Sequence, residues 1–516
     1  MTAPSADEAA ITADIVIVGA GFAGLGMGIA LDKAGRGDYV ILEKAGEIGG
    51  TWRENTYPGC ACDIRSLLYS FSFEPKRDWS RQYPLQPEIL DYLHQVVDAH
   101  DLARRIQFGA EVVSMTYDDS AGRWTVRLAD GRTASCRVLM TAMGPLHQPN
   151  IPVIPGADSF AGPKFHSAQW DHGVDLTGKR VAVIGTGASS IQLVPQIAEQ
   201  AGQVTVFQRT PPWVMPKPDR PFTERQHRLF KSVPGLQRAY RWLIYWETEW
   251  PIVTFTKPRL AVLGERMAMA HISKQVPDPE LRRKVTPDYR MGCKRVLLAN
   301  DYYPALAQPH VELVTEQVTG MTDNAVIAAD GTEYPADVIV YGTGFHVIDA
   351  FDHADITGAN GRKIAETWRD GAEAYLGLAV AGFPNLFVLL GPNSGLGHNS
   401  MIFMIESQVH YVIKCLDLID KKGALAVGDQ AQRRFNADLQ GRLTGTVWTA
   451  GGCRSWYLDK GGVNRALWPG STVRYWWRTR RLPAGHFESA VAAGANGAPT
   501  EGTAADDVPA TSVTAR

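Results

Sequence analysis

The stretch DIVIVGAGFAGLGMGIAL, residues 14–31, decides the fold. An apolar run of strand length leads into Gly19, Gly21 and Gly24, and an apolar helical pattern follows. The next apolar run, YVILEK (39–44), ends on Glu43 and Lys44. Glycines spaced G-x-G-x-x-G let backbone N–H groups reach a pyrophosphate at the start of the helix, where Phe22 and Ala23 stand. An acid closing the following strand accepts ribose hydroxyls and repels a 2′-phosphate. This unit therefore predicts a site for FAD.

A second copy lies downstream. RVAVIGTGASSIQLVPQIA (180–198) repeats strand, turn and helix, and QVTVFQRT (203–210) supplies the next strand. Gly185 and Gly187 flank Thr186, Ser190 takes the third glycine position, and Ala188, Ser189 and Gln192 complete the opening of the helix. Where the first unit has Glu43, this one has Arg209 and Thr210. An arginine pairs with the 2′-phosphate that a carboxylate would reject, so this unit predicts NADPH in preference to NADH. Two such units imply an α/β protein with parallel sheets, built from two Rossmann-like dinucleotide-binding domains.

Composition narrows the remaining classes. A chain of 516 residues exceeds one compact core, and a formal charge of -2 gives no electrostatic case for nucleic acid or an anionic membrane. Six cysteines, at 60, 62, 136, 293, 415 and 453, are too scattered for a disulfide scaffold or a zinc site. The N-terminal MTAPSADEAAITAD has acids where a signal peptide needs bases. A reduced, cytoplasmic protein is expected. Residues 374–405 contain no Asp, Glu, Lys or Arg, a length that could span a membrane. Gly382, Pro384, Gly391 and Pro392 break that run, leaving LFVLL (386–390) as a buried strand, so no stable membrane insertion is expected.

Residues 1–12 and 485–516 read as disordered, the latter because the Ala/Gly/Thr-rich tail offers almost nothing to bury. Between them, 13–148 and 346–484 are expected to form the FAD-binding domain and 149–345 the NADPH-binding domain. A helical insert at 211–292 opens with Pro211, Pro212, Pro216 and Pro218 and carries RAYRWLIYWETEW (238–250). Such an insert either walls a substrate site or packs only for stability, and the sequence leaves both readings open.

Between the two units lies FAGPKFHSAQWD (160–171), which reads as a polar loop holding Phe160, Gly162, His166 and Trp170. It fits the fingerprint F-x-G-x-x-x-H-x-x-x-W-[PD] of the type I Baeyer–Villiger monooxygenases, which the chain resembles over nearly its whole length. GGTWRENTYPGCACD (49–63) is similar to that family's second signature, and MGCKR (291–295) resembles its Lys–Arg pair. DVIVYGTGF (337–345) resembles the hinge strand, although the family more often has alanine where Gly342 stands. GPNSGLGHNSM (391–401) resembles a second flavin-contact loop, and CRSWYLDKGGVN (453–464) a mobile loop bearing Trp456.

The resemblance implies an enzyme that uses FAD, NADPH and O2 to convert a ketone into an ester or lactone. Arg295 and Asp63 would be catalytic, with Arg295 keeping a C4a-peroxyflavin anionic and Asp63 fixing Arg295. Gly50, Thr51, Trp52, Asp63, Tyr69, Val112 and Met401 would complete the flavin pocket. Lys294 and Trp456 would join Arg209 and Thr210 on the nicotinamide nucleotide, whose oxidised form shields the intermediate. His166 would couple domain movement rather than act as a base. Taken singly, Trp52 and Trp170 also read as packing anchors. The competing reading is a flavin-containing N- or S-monooxygenase, which needs neither Arg295 nor Asp63. A flavin disulfide reductase would need C-x(4)-C or C-x-x-C, whereas Cys60 and Cys62 form only C-x-C. A non-enzymatic redox sensor would not consume NADPH in step with ketone. No pattern names the ketone or sets an oligomeric state.

Overall fold

A computed structural model describes residues 10–347 and 355–489. Ile15–Val18 is central in a parallel five-stranded sheet ordered Leu386–Val388, Val138–Thr141, Ile15–Val18, Tyr39–Leu42, Ile106–Gln107. All four residues of Ile15–Val18, Tyr39–Leu42 and Val138–Thr141 are buried, as expected for parallel strands covered on both faces. The helix Phe22–Lys33 covers one face, and the long helix Met401–Lys422 packs against it. LFVLL thus begins as the sheet strand Leu386–Val388, and no helix among the described residues is long and apolar enough to cross a membrane.

The second parallel sheet has the order Val311–Val314, Gln203–Phe207, Arg180–Ile184, Val338–Tyr341, Lys164–His166. The helices Glu224–Ser232, Leu236–Glu249, Ile252–Thr256, Ala261–Gln275 and Pro279–Val285 fill the stretch read as a helical insert. The chain leaves the first sheet near 142 and returns after 342, and these two crossings lie side by side. Asn150 N–H donates to Gly344 O at 2.9 Å, His346 N–H donates to Gln148 O at 2.9 Å, and Pro149 bridges Phe345 antiparallel.

Three expectations need correction. Ala10–Thr12 is a strand, paired in parallel with Thr133–Cys136, and Phe487–Ser489 pairs antiparallel with Leu425–Val427. Main-chain pairing at a sheet edge needs little buried side chain, so a composition argument passes over both; the rest of the two ends lies outside the described residues. The polar-loop reading of 160–171 also fails. Lys164–His166 is an edge strand of the second sheet, with Phe160, Phe165 and His166 all buried. Gly162 lies against the backbone of Asp337, where any Cβ would overlap the carbonyl oxygen of that residue.

Candidate functional site

Both glycine turns present unsatisfied backbone donors. Gly19 and Gly185 each adopt φ +108°, a conformation open to glycine, and a Cβ would sit 2.7 Å from Ala142 O and 2.5 Å from Gly342 O respectively. The helices that follow, Phe22–Lys33 and Ala188–Ala198, receive no side-chain cap and have no acid in the first turn. Free N–H groups at a helix start with no competing carboxylate fit a phosphate. Glu43 is 4% exposed and accepts Ala20 N–H at 2.8 Å and Ala45 N–H at 3.0 Å, which fixes the acid beside the first turn. Lys44 reaches away to Glu54 at 3.7 Å.

The second unit differs at its strand end. Arg209 is exposed with no ion pair to a described carboxylate, and it lies close enough to Lys294 to disfavour the charged lysine. Burial is the larger cause of the lowered Lys294 pKa, and the Arg209 charge adds to it. Asp288 offsets part of this effect on Lys294; two like charges held this close suit a dianionic ligand group. Thr186 Oγ1 reaches Thr210 O at 3.4 Å, joining the turn to that strand end. Gln192, expected among the nucleotide contacts, also bonds within the protein. Its amide accepts the Tyr57 hydroxyl at 2.9 Å and donates to Ala61 O at 3.0 Å, tying the second unit's helix to the 49–63 loop.

That loop ends at Asp63, which meets Arg295 across the two units. Arg295 Nε and Nη2 converge on one carboxylate oxygen at 2.8 and 2.6 Å, and Nη1 reaches Leu396 O at 3.4 Å. The Asp63 charge is the largest influence on Arg295 and raises its pKa further above an already high value. This guanidinium stays charged at every working pH. Tyr457, 1% exposed, adds its phenol to the same surroundings. Trp52 donates from Nε1 to the Tyr69 hydroxyl at 2.9 Å, with the rings edge to face. Thr51 and Gly50 begin the short helix beside them, Met401 begins Met401–Lys422, and Val112 begins Val112–Asp118 in a further sheet, paired antiparallel with Arg123–Leu128.

His166 is fully buried, and its strand pairs with Tyr341 just ahead of the second crossing. Its Nδ1 accepts Ala168 N–H at 3.1 Å, and its ring meets Phe345 edge to face at 5.5 Å. Burial lowers its pKa to about 4. Trp170 packs edge to face on Phe165 at 5.1 Å. His166 therefore lies against the second crossing, through Phe345, while Trp170 packs on Phe165 of the same edge strand.

Two features escaped the sequence reading. Cys293 and Cys453 form a disulfide with Cα atoms 6.1 Å apart, which corrects the expectation of six reduced thiols. Their separation of 160 residues hid the pairing. The bond joins the residue two before Arg295 to the loop carrying Trp456, which is 46% exposed and lies against Tyr457. The second is a buried carboxylate, Glu249, considered below.

A family model described as pyridine nucleotide-disulphide oxidoreductase matches residues 16–224. A Baeyer-Villiger monooxygenase of Streptomyces coelicolor is 45% identical over 478 residues, 92% of each chain. Another, of Pseudomonas aeruginosa, is 44% identical over 477 residues, 92% of this chain and 90% of its own. Among solved structures, a closed cyclohexanone monooxygenase matches with a TM-score of 0.83 at 28% identity, covering 93% of this chain and 99% of that one. An oxidized steroid monooxygenase bound to NADP matches with a TM-score of 0.82 at 32% identity, covering 92% and 99%. The chain belongs to the Baeyer–Villiger monooxygenase family.

Proposed function

We propose that this chain is an FAD- and NADPH-dependent monooxygenase that inserts one oxygen atom of O2 beside a ketone carbonyl, giving an ester or lactone. The observation that carries the reading is Arg295, a permanent cation held by Asp63 where the two dinucleotide units meet. Gly19, Gly21, Phe22, Ala23, Gly24 and Glu43 would hold the FAD pyrophosphate and ribose, with Gly50, Thr51, Trp52, Tyr69, Val112 and Met401 nearer the flavin. Gly185, Thr186, Gly187, Ala188, Ser189 and Ser190 would hold the NADPH pyrophosphate, and Arg209, Thr210 and Lys294 its 2′-phosphate. When bound, the flavin reduced by NADPH supplies the electrons that activate O2.

Arg295 then does two things that a neutral side chain could not. It keeps negative charge on a neighbouring oxygen unprotonated, and it stabilises the charge that grows on the ketone oxygen as its carbonyl is attacked. Asp63 holds the guanidinium in one orientation through both short contacts, so little reorganisation is needed at the moment of reaction. Trp456 on its tethered loop would close over the nicotinamide side and exclude water. An N- or S-monooxygenase has no use for a fixed cation of this kind, and nothing favours that alternative.

In this reading, 13–148 and 346–484 serve FAD, 149–345 serve NADPH, and the enzyme works in the cytoplasm. The experiment is a panel of linear, cyclic and aromatic ketones with FAD-loaded protein, following NADPH oxidation and ester formation together. Relatives named for cyclohexanone and for steroids put ring ketones first. NADPH oxidation without ester from any ketone would overturn the proposal.

A further inference from the structure

Glu249 closes the helix Leu236–Glu249, where a carboxylate opposes the helix dipole, and it is 3% exposed. Such a placement costs free energy unless the charge is met by donors. Three donors meet it. Asn399 Nδ2 donates to Oε2 at 2.6 Å, Thr472 N–H to Oε1 at 2.6 Å, and Thr472 Oγ1 to Oε2 at 2.8 Å. His398 Nε2, on a side chain only 1% exposed, lies 3.4 Å from the same Oε2. Burial pushes the Glu249 carboxyl up, but His398, Asn399 and Thr472 together hold it below the ordinary glutamate value. Two separate parts of the chain, 398–399 and Thr472, thus converge on one buried anion.

One of these parts also reaches Arg295. The segment that carries His398 and Asn399 also carries Leu396, whose carbonyl receives Arg295 Nη1. Phe255, on the short helix just beyond Glu249, fills the space left by two glycines. Added Cβ atoms would lie 2.6 Å from its ring at Gly292, three residues before Arg295, and 3.6 Å at Gly397. Asp63 fixes one edge of the guanidinium; the 396–399 segment meets the other.

We propose that Glu249 and His398 are positioning residues for Arg295, a role that rests on the reading of Arg295 given above. They lock residues 396–399 so that the Leu396 carbonyl holds the free edge of the guanidinium. Neither residue needs to touch substrate for this.

The test is Glu249→Gln in the FAD-loaded enzyme, which keeps the volume and removes the anion. Flavin content and reduction by NADPH should match the parent, while ester formed per NADPH falls roughly 10-fold, the scale of a small misplacement of a catalytic group. Glu249→Asp should restore part of it. Hydrogen exchange across residues 396–399 should rise in Glu249→Gln, a readout independent of turnover. His398→Phe, which keeps a ring in place, should move both measurements the same way. Parent enzyme that makes ester beside a Glu249→Gln variant with parental yield and exchange would overturn the positioning role alone. A parent that makes no ester would instead overturn the function itself. Failure of both variants to fold would also count against the inference, since positioning predicts a folded but uncoupled enzyme.

Discussion

A Cβ on Gly342 would overlap the hydroxyl of Ser190, a buried oxygen that has no hydrogen-bond partner among the described residues. The two departures from pattern are therefore one feature: serine stands in the third position of the second turn, and glycine stands opposite it in the hinge strand. Gly342→Ala should destabilise the protein by about 1–3 kcal/mol, the ordinary cost of overpacking a core. Ser190→Gly in the same chain should restore most of that loss. A double-mutant cycle on the denaturation midpoint checks the coupling. Additive effects would separate the two positions.

Arg209 tests coenzyme choice. Arg209→Ala should raise the KM for NADPH by roughly 10- to 150-fold, as expected for one charge-assisted contact, and leave NADH nearly unchanged. Equal changes for both coenzymes would mean that Arg209 does not read the 2′-phosphate.

His166 makes stability depend on acid. Its imidazole takes a proton near 6.5 when unfolded and only near about 4 when folded. Between these values the unfolded chain binds more protons, so this contribution is complete above pH 6.5 and lost as pH falls towards 4. The full loss is about 3 kcal/mol. His166→Gln should flatten the fall in melting temperature between pH 7 and 5. An unchanged slope would assign the acid sensitivity elsewhere.

The Cys293–Cys453 pairing predicts a thiol count. Of six cysteines, Cys60, Cys62, Cys136 and Cys415 are free, so four thiols should titrate in denaturant before reduction and six after it. Reduction should also raise hydrogen exchange in the loop around Trp456, by releasing its tether to the segment before Arg295. Six thiols without a reductant would remove the bond from the account.

Much of this architecture was legible in the sequence, because glycine spacing and strand-end charge are local signals. Gly19, Glu43, Gly185 and Arg209 announce two dinucleotide units from short windows. His166 misled the reading for a physical reason: the edge strand Lys164–His166 is too short to show a period, and its burial comes from Tyr341 and Phe345, far away in sequence. Gln192 stands in the first turns of the helix Ala188–Ala198, and its partners Tyr57 and Ala61 lie about 130 residues upstream, where no spacing rule reaches. Asp63 and Arg295 were found through a resemblance. Their meeting, 232 residues apart, could not be read from either segment alone.

The most direct test of the central claim is ester formed per NADPH consumed by FAD-loaded Arg295→Ala. The account predicts that the coloured holoenzyme still forms, because the first glycine turn and Glu43 are untouched, and that NADPH still reduces it. Ester formation should fall by about 10²–10³, the typical cost of losing one preorganised electrostatic partner, with the consumed NADPH recovered as hydrogen peroxide. Ester yield per NADPH equal to the parent enzyme would contradict the account.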